Sequence, residues 1–193
     1  MPQSFDSIII GTGQAGPSLA SRLASAGKTV AIAERQLLGG TCVNTGCTPT
    51  KTMVASARAA FDARRAADYG VHIAGDISVS LAEVRKRADG LVGKSRDGLR
   101  KMLTTTENCT LFEGHARLLS ANEVQIGDTI LRADTIYLNV GARPARPKLP
   151  GIDKISYLTS STILKLDKLP EHLIVVGGVC PDVSPFWQQS NAR

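Results

Sequence analysis

Ser7-Ile8-Ile9-Ile10-Gly11-Thr12-Gly13-Gln14-Ala15-Gly16 is the stretch that decides the fold. Ser7 to Ile10 is a short β-branched apolar run, the kind that forms a buried parallel strand. Gly11, Gly13 and Gly16 follow at G-x-G-x-x-G spacing, and Pro17 to Ala26 is an Ala- and Leu-rich helical stretch. Gly27 ends that helix, and Thr29 to Ala33 predicts a second buried strand. The whole is one βαβ unit. In such a unit the first glycine permits the tight turn, the second lets backbone approach a pyrophosphate, and the third lets helix and strand pack closely. Phosphates then meet free N–H groups at the positive end of the helix. Glu34 closes the second strand about 20 residues on, where a carboxylate can accept hydrogen bonds from a ribose diol and would repel a 2′-phosphate.

Downstream lies Gly39-Gly40-Thr41-Cys42-Val43-Asn44-Thr45-Gly46-Cys47-Thr48-Pro49-Thr50-Lys51. On a straight helix, Cys42 and Cys47 would be farther apart than the roughly 7 Å a disulfide tolerates. Asn44 and Gly46 suggest irregular backbone that lets the pair close. Thr48 suits a helix N-cap and Pro49 the first helical position. That would put Cys47 at the helix's positive end, which favours its thiolate. A metal site would want further ligands, and His72, His115 and His172 are isolated in sequence. Inert buried thiols are the plainer alternative. A redox dithiol beside a nucleotide accounts for glycines, cap and spacing together.

A helix is expected over about Pro49 to Ala67 and another over about Ser80 to Leu103. From Cys109 the period changes to strands: Leu111-Phe112, Ala116 to Leu119, Glu123 to Ile126, Thr129 to Leu131 and Thr135 to Val140. Gly127-Asp128 forms a hairpin turn. Arg143 to Pro150 is a proline-rich connector, and Leu173 to Val176 has the pattern of the first strand of another unit. The fold class expected is α/β: an incomplete Rossmann-like domain with a parallel sheet, flanking helices and a small antiparallel meander.

The 193 residues carry a formal charge of +6, which raises the question of nucleic acid. The densest basic stretch, Arg85 to Lys101, follows Val84, is interrupted by Leu91 and Leu99, and reads as a solvated helix face. Aromatic residues are only 4% of the chain, too few for base-stacking platforms, so no nucleic-acid partner is expected. Met1 to Ser7 lacks the basic start of a signal peptide, and no apolar run approaches membrane-spanning length. A cytoplasmic location is expected, where the four cysteines are not expected to form structural disulfides.

From Gly11 through Lys51 the sequence resembles the class I pyridine nucleotide-disulfide oxidoreductases, and its cysteine segment is most similar to the mercuric reductase-like branch. The likeness extends over about residues 5 to 178. It implies that the first nucleotide motif binds FAD, with Gly11, Gly13, Gln14, Ala15 and Gly16 around its pyrophosphate and Glu34 on its adenosine ribose. Gly40, Thr41 and Lys51 would lie near the flavin. Cys47 would face the isoalloxazine, and Cys42 would be the interchange thiol that attacks substrate. Gly114-His115-Ala116 resembles the segment whose backbone touches adenine. Asn139-Val140-Gly141-Ala142-Arg143-Pro144 resembles the second FAD-domain signature. Cys109 matches no motif and is expected to be a core or surface thiol. No metal ligand set is implied. The electron donor in the family is NAD(P)H, and the substrate a small thiol, disulfide or metal ion.

The resemblance divides the chain into a FAD-binding domain at 1–150, a connector with the first strand of an NAD(P)-binding domain at 151–178, and a tail at 179–193. Leu169 to Gly178 fits the start of a second nucleotide motif, but Val179 and Asp182 occupy the next glycine positions. Pro181 and Pro185 fall where a helix should begin and run, and an interior proline costs a helix about 3 kcal/mol. A shift of reading frame after Gly178 would explain the change, with a native short tail as the alternative. The nicotinamide domain, the later segment of the FAD domain and the interface domain that makes the family homodimer would then be absent, and with them turnover from NAD(P)H.

Overall fold

A computed structural model describes residues 2–176. The elements, in order, are β1 (Gln3–Ile10), α1 (Ala15–Ser25), β2 (Val30–Glu34), α2 (Gly40–Thr45), α3 (Cys47–Arg64) and α4 (Leu81–Thr105). Then come β3 (Cys109–Glu113), β4 (Ala116–Leu118), β5 (Glu123–Ile126) and β6 (Thr129–Leu138). Short 3-10 turns occupy Ala66–Tyr69, Ile152–Lys154 and Ile163–Lys165. The chain divides into two compact units, one from the described parts of Met1–Asn44 and Gly93–Arg143, the other from Thr45–Val92 and the described residues from Pro144.

The first unit holds a six-stranded sheet in the order β3-β2-β1-β6-β5-β4. Pairing is parallel from β3 to β6: Ile8 faces Ala31 of β2 and Ile136 of β6, and Ala31 faces Thr110 of β3. The β4-β5-β6 meander is antiparallel. This is a Rossmann-like α/β arrangement. Period-2 alternation sends Ile8 and Ile9 to opposite faces of the sheet. Ile8 joins Ala31, Val124, Leu131 and Ala133 on one side. Ile9 joins Ile32, Val30, Ala20 of α1 and Leu103 of α4 on the other. Phe5 and Phe112 meet edge to face at 5.9 Å on the first side.

Four expectations about local structure are corrected. The two strands expected within 129–140 are one, because β6 pairs with β5 at its start and with β1 along nearly all its length. The backbone between Cys42 and Cys47 stays helical through Thr45 and breaks only at Gly46 (φ −138°, ψ −117°). Thr48 does not cap α3; the helix begins at Cys47, and the Gly46 carbonyl accepts the first bond, from the Thr50 N–H at 3.0 Å. Pro49 therefore lies in the first turn, where a missing N–H costs nothing. Residues 173–176, expected as a strand, form no ladder, and Ile174, Val175 and Val176 are exposed. The broken second glycine motif beyond Val176 lies outside the described residues.

In the second unit, α3 ends at Arg64 and the following turn is closed by Gly70 in the left-handed region (φ 76°). Pro49, Met53 and Ala57 of α3 and Ala88 and Val92 of α4 are its buried apolar side chains among the described residues. Arg87 donates to the Thr52 carbonyl at 2.9 Å and to Ser56 Oγ at 3.3 Å, tying the two helices.

Candidate functional site

The glycine turn sits between β1 and α1. Gly11 has φ +108°, and a Cβ there would lie 2.2 Å from the Asn139 carbonyl oxygen, so no other residue fits. A Cβ on Gly16 would lie 2.3 Å from the Gly11 carbonyl oxygen. Gly13 differs. Its φ is not positive, and a Cβ would meet nothing closer than the Asn139 side-chain nitrogen at 3.4 Å. The protein's own packing requires glycine at the first and third positions of the motif and not at the second. At the second position a Cβ would only touch the Asn139 side chain at ordinary contact distance, so the bare backbone there is a cradle that a Cβ would fill and a phosphate could use.

Asn139 holds the turn in shape. It follows β6, the neighbour of β1, and its backbone N–H donates to the Ile10 carbonyl at 2.8 Å. Its side-chain Nδ2 donates to the carbonyls of Gly11 (3.1 Å) and Gly13 (3.2 Å). Sequence reasoning placed Asn139 in a resembling signature without assigning it a task. Its signal was a polar residue at the end of a strand bordering β1.

The Gly16 N–H closes the turn onto the Gly13 carbonyl at 2.9 Å. Gln14 and Ala15 stand exposed at the start of α1. No side chain caps this helix, and its first turn carries no acidic residue. The positive end of the dipole is therefore left for an anion to meet.

Glu34 ends β2 with its carboxylate already ordered. Oε2 accepts from the Thr12 N–H (3.1 Å) and the Thr12 hydroxyl (2.7 Å), and Oε1 accepts from the Gln36 N–H (3.1 Å). The Gly114 N–H donates to the Glu34 carbonyl at 2.8 Å, which brings the Gly114-His115-Ala116 segment to the same strand ends. Ala116 opens β4 opposite Ile126. Gly141, at φ +68°, follows β6 two residues past Asn139.

The cysteine segment begins on this turn. Gly40, at φ +59°, approaches so closely that a Cβ would lie 2.8 Å from the Gly13 Cα. The Gly39 N–H donates to Thr12 Oγ1 at 3.1 Å. Asn44 Nδ2 donates to the carbonyls of Leu38 and Gly40, both at 2.9 Å, and staples the first turn of α2. Thr41 is exposed and Cys42 half-buried in that helix. In the other unit, Cys47 is exposed at the first position of α3, and Lys51 is exposed one turn on. Cys109, in β3, is half-buried against the helix-side core, and burial pushes its thiol above the usual range. Among the described residues no group of three His, Cys, Asp or Glu side chains could hold a metal ion. No helix there is long and apolar enough to cross a membrane.

A parallel sheet whose first strand turns through three glycines into a helix, with a carboxylate ending the next strand, marks a Rossmann-like domain of the dinucleotide-binding class. The chain belongs to the pyridine nucleotide-disulphide oxidoreductase family, whose sequence profile matches residues 5–180. It is 33% identical over 183 residues to the dihydrolipoyl dehydrogenase of Chlamydia trachomatis, covering 92% of this chain and 39% of that protein. It is 33% identical over 174 residues to the mercuric reductase of Lysinibacillus sphaericus, covering 90% of this chain and 32% of that one. Among solved structures, the HOCl-induced flavoprotein disulfide reductase RclA of Escherichia coli superposes with a TM-score of 0.70 at 28% identity. That match covers 86% of this chain and 35% of RclA. The chain thus spans about two fifths or less of the length of these relatives.

Proposed function

We propose that this chain is the FAD-binding part of a flavin-dependent disulfide oxidoreductase, with Cys42 and Cys47 as its redox pair. The observation that carries the reading is the seating of Gly40 on Gly13. The segment bearing the cysteines starts on the turn that would hold a dinucleotide's phosphates. The residues present fit FAD: an open glycine cradle, an uncapped helix start and an ordered ribose carboxylate. Gly11, Gly13, Gln14, Ala15 and Gly16 would hold its pyrophosphate, Glu34 its adenosine ribose, and Ala116 and Gly141 would border it. Gly40, Thr41 and Lys51 would lie toward the ring.

FAD, when bound, would relay two electrons between a nicotinamide donor and the cysteine pair. The Cys42 thiolate attacks a substrate disulfide and releases one substrate thiol, leaving a mixed disulfide. The Cys47 thiolate then attacks Cys42, releases the second thiol and leaves Cys42 and Cys47 oxidised. In this division of labour Cys47 acts from the first position of α3. A metal-ion substrate would be taken by the same two thiolates. Because the matched portion is about two fifths of a dihydrolipoyl dehydrogenase, we assign FAD binding to this chain and NAD(P)H-driven turnover to the longer architecture. We keep 1–150 as the FAD-binding part, 151–178 as the beginning of a nicotinamide domain and 179–193 as a tail of other origin. The homodimer and the cytoplasmic setting are likewise proposals for the longer protein.

Purified chain, titrated with FAD and followed by flavin fluorescence and absorbance, tests the reading. The expected result is a bound flavin spectrum that, after two-electron reduction, shows a thiolate–flavin band lost in Cys47→Ser. A well-folded chain that binds no FAD overturns it. Gly13→Ala is the internal control: stability should change by less than about 1 kcal/mol, while FAD affinity falls at least about tenfold because backbone can no longer approach the phosphates.

A further inference from the structure

The ribose carboxylate and the cysteine-bearing helix share one buried side chain. Thr12 is fully buried at an unrestricted position of the glycine motif. Its hydroxyl donates to Glu34 Oε2 at 2.7 Å and accepts from the Gly39 N–H at 3.1 Å. The direction of this chain is fixed by chemistry. An amide N–H can only donate and an ionised carboxylate can only accept, so the single hydroxyl proton must point to Glu34. Hydrogen bonds in series polarise one another, most strongly away from water.

Both ends of the chain are otherwise constrained. At Glu34, three of a carboxylate's roughly four acceptor positions are taken by Thr12 and Gln36, leaving a ligand hydroxyl about one. At the other end, Gly39 (φ +95°) leads directly into α2, Gly40 abuts Gly13, and Asn44 closes the first turn. A shift of the carboxylate is thus passed through one hydroxyl to the residue that sets the start of α2, three positions before Cys42.

We propose that Thr12 is a positioning residue that couples Glu34 to the start of α2, so that a change at the ribose carboxylate alters the reactivity of the Cys42 thiol. This rests on reading Glu34 as the ribose acceptor and Cys42 as the interchange thiol. Serine at position 12 preserves the relay. Valine matches threonine in shape but leaves the Gly39 N–H and one carboxylate position unpaired in a buried place.

The test uses the full chain and three variants, Thr12→Ser, Thr12→Val and Glu34→Ala. FAD affinity is read by fluorescence. Alkylation of Cys42 by iodoacetamide is followed against pH by peptide mass spectrometry on flavin-free protein. Thr12→Ser should match the parent within about twofold in both readouts. Thr12→Val should bind FAD about tenfold more weakly and show a displaced Cys42 profile. Glu34→Ala, which replaces no residue of α2, should displace that profile in the same direction. A Cys42 profile in Glu34→Ala that superimposes on the parent overturns the coupling, as does an unshifted profile in Thr12→Val. Should Thr12→Val fail to fold, Glu34→Ala decides alone. If the parent chain refuses FAD, the flavin reading falls, and the flavin-free Cys42 profiles still decide the coupling.

Discussion

The unit built around the glycine turn and the unit built from α3 and the first half of α4 are stabilised by different means. In the first, Ile8, Ile9, Val30, Ile32, Val124 and Leu131 are completely buried, large and mostly branched. In the second, the buried apolar side chains among the described residues are Pro49, Met53, Ala57, Ala88 and Val92, and the last four are not completely so. A sheet with two covered faces encloses side chains from both sides, whereas two helices sharing one stripe enclose little. The glycine turn is therefore carried on a stiff base, and the helix that begins with Cys47 on a lighter one.

Four measurements would break or sharpen this contrast. Gly11→Ala should have the largest effect, costing more than about 3 kcal/mol by urea denaturation, since the new methyl group collides with backbone. A loss below about 1 kcal/mol would mean that the turn is softer than its geometry implies. Asn139→Ala should cost about 1–3 kcal/mol, because the Gly11 and Gly13 carbonyls lose their shared donor. FAD affinity should fall with it. Arg87→Ala, in the lighter unit, should cost about 1 kcal/mol or less and leave FAD affinity as it was. Equal losses for Asn139→Ala and Arg87→Ala would erase the distinction between the units.

The smallest effect is one of pH and belongs to the first unit. Asp6 accepts from the Thr29 N–H and hydroxyl, both at 2.7 Å, and these bonds hold its carboxyl below the usual range. The Arg100 guanidinium, hydrogen-bonded to Glu113, does the same there. A carboxyl lowered on folding adds stability that is present above its unfolded value, about 4, and is lost as pH falls through the folded value. Urea midpoints should drop below about pH 4, and Asp6→Asn should flatten part of that drop. A midpoint independent of pH between 5 and 3 would remove both groups from the account.

Much of the first unit was legible before any coordinates. Ser7 to Ile10, the glycines and Thr29 to Ala33 are local signals with one structural solution, and β1, α1 and β2 follow them. Gly127-Asp128 likewise announced the β5–β6 hairpin. What sequence could not supply were contacts between distant positions. Thr12 occupies a slot where the motif accepts anything, and its hydroxyl gains meaning only because Glu34 and Gly39, 22 and 27 residues away, converge on it. The single strand β6 was read as two because Arg132 and Asp134 interrupt the apolar pattern, whereas pairing with β1 carries the ladder across them. At α3 the cap was misread because threonine before proline is a strong local cue, yet Gly46 already supplies the first acceptor.

The half-buried thiol of Cys109 has a practical consequence. A sulfur whose proton is held more firmly than usual is a slower nucleophile at neutral pH, so oxidants and maleimides should modify it slowly. In any kinetic experiment with such reagents its labelling should lag behind that of the exposed Cys47.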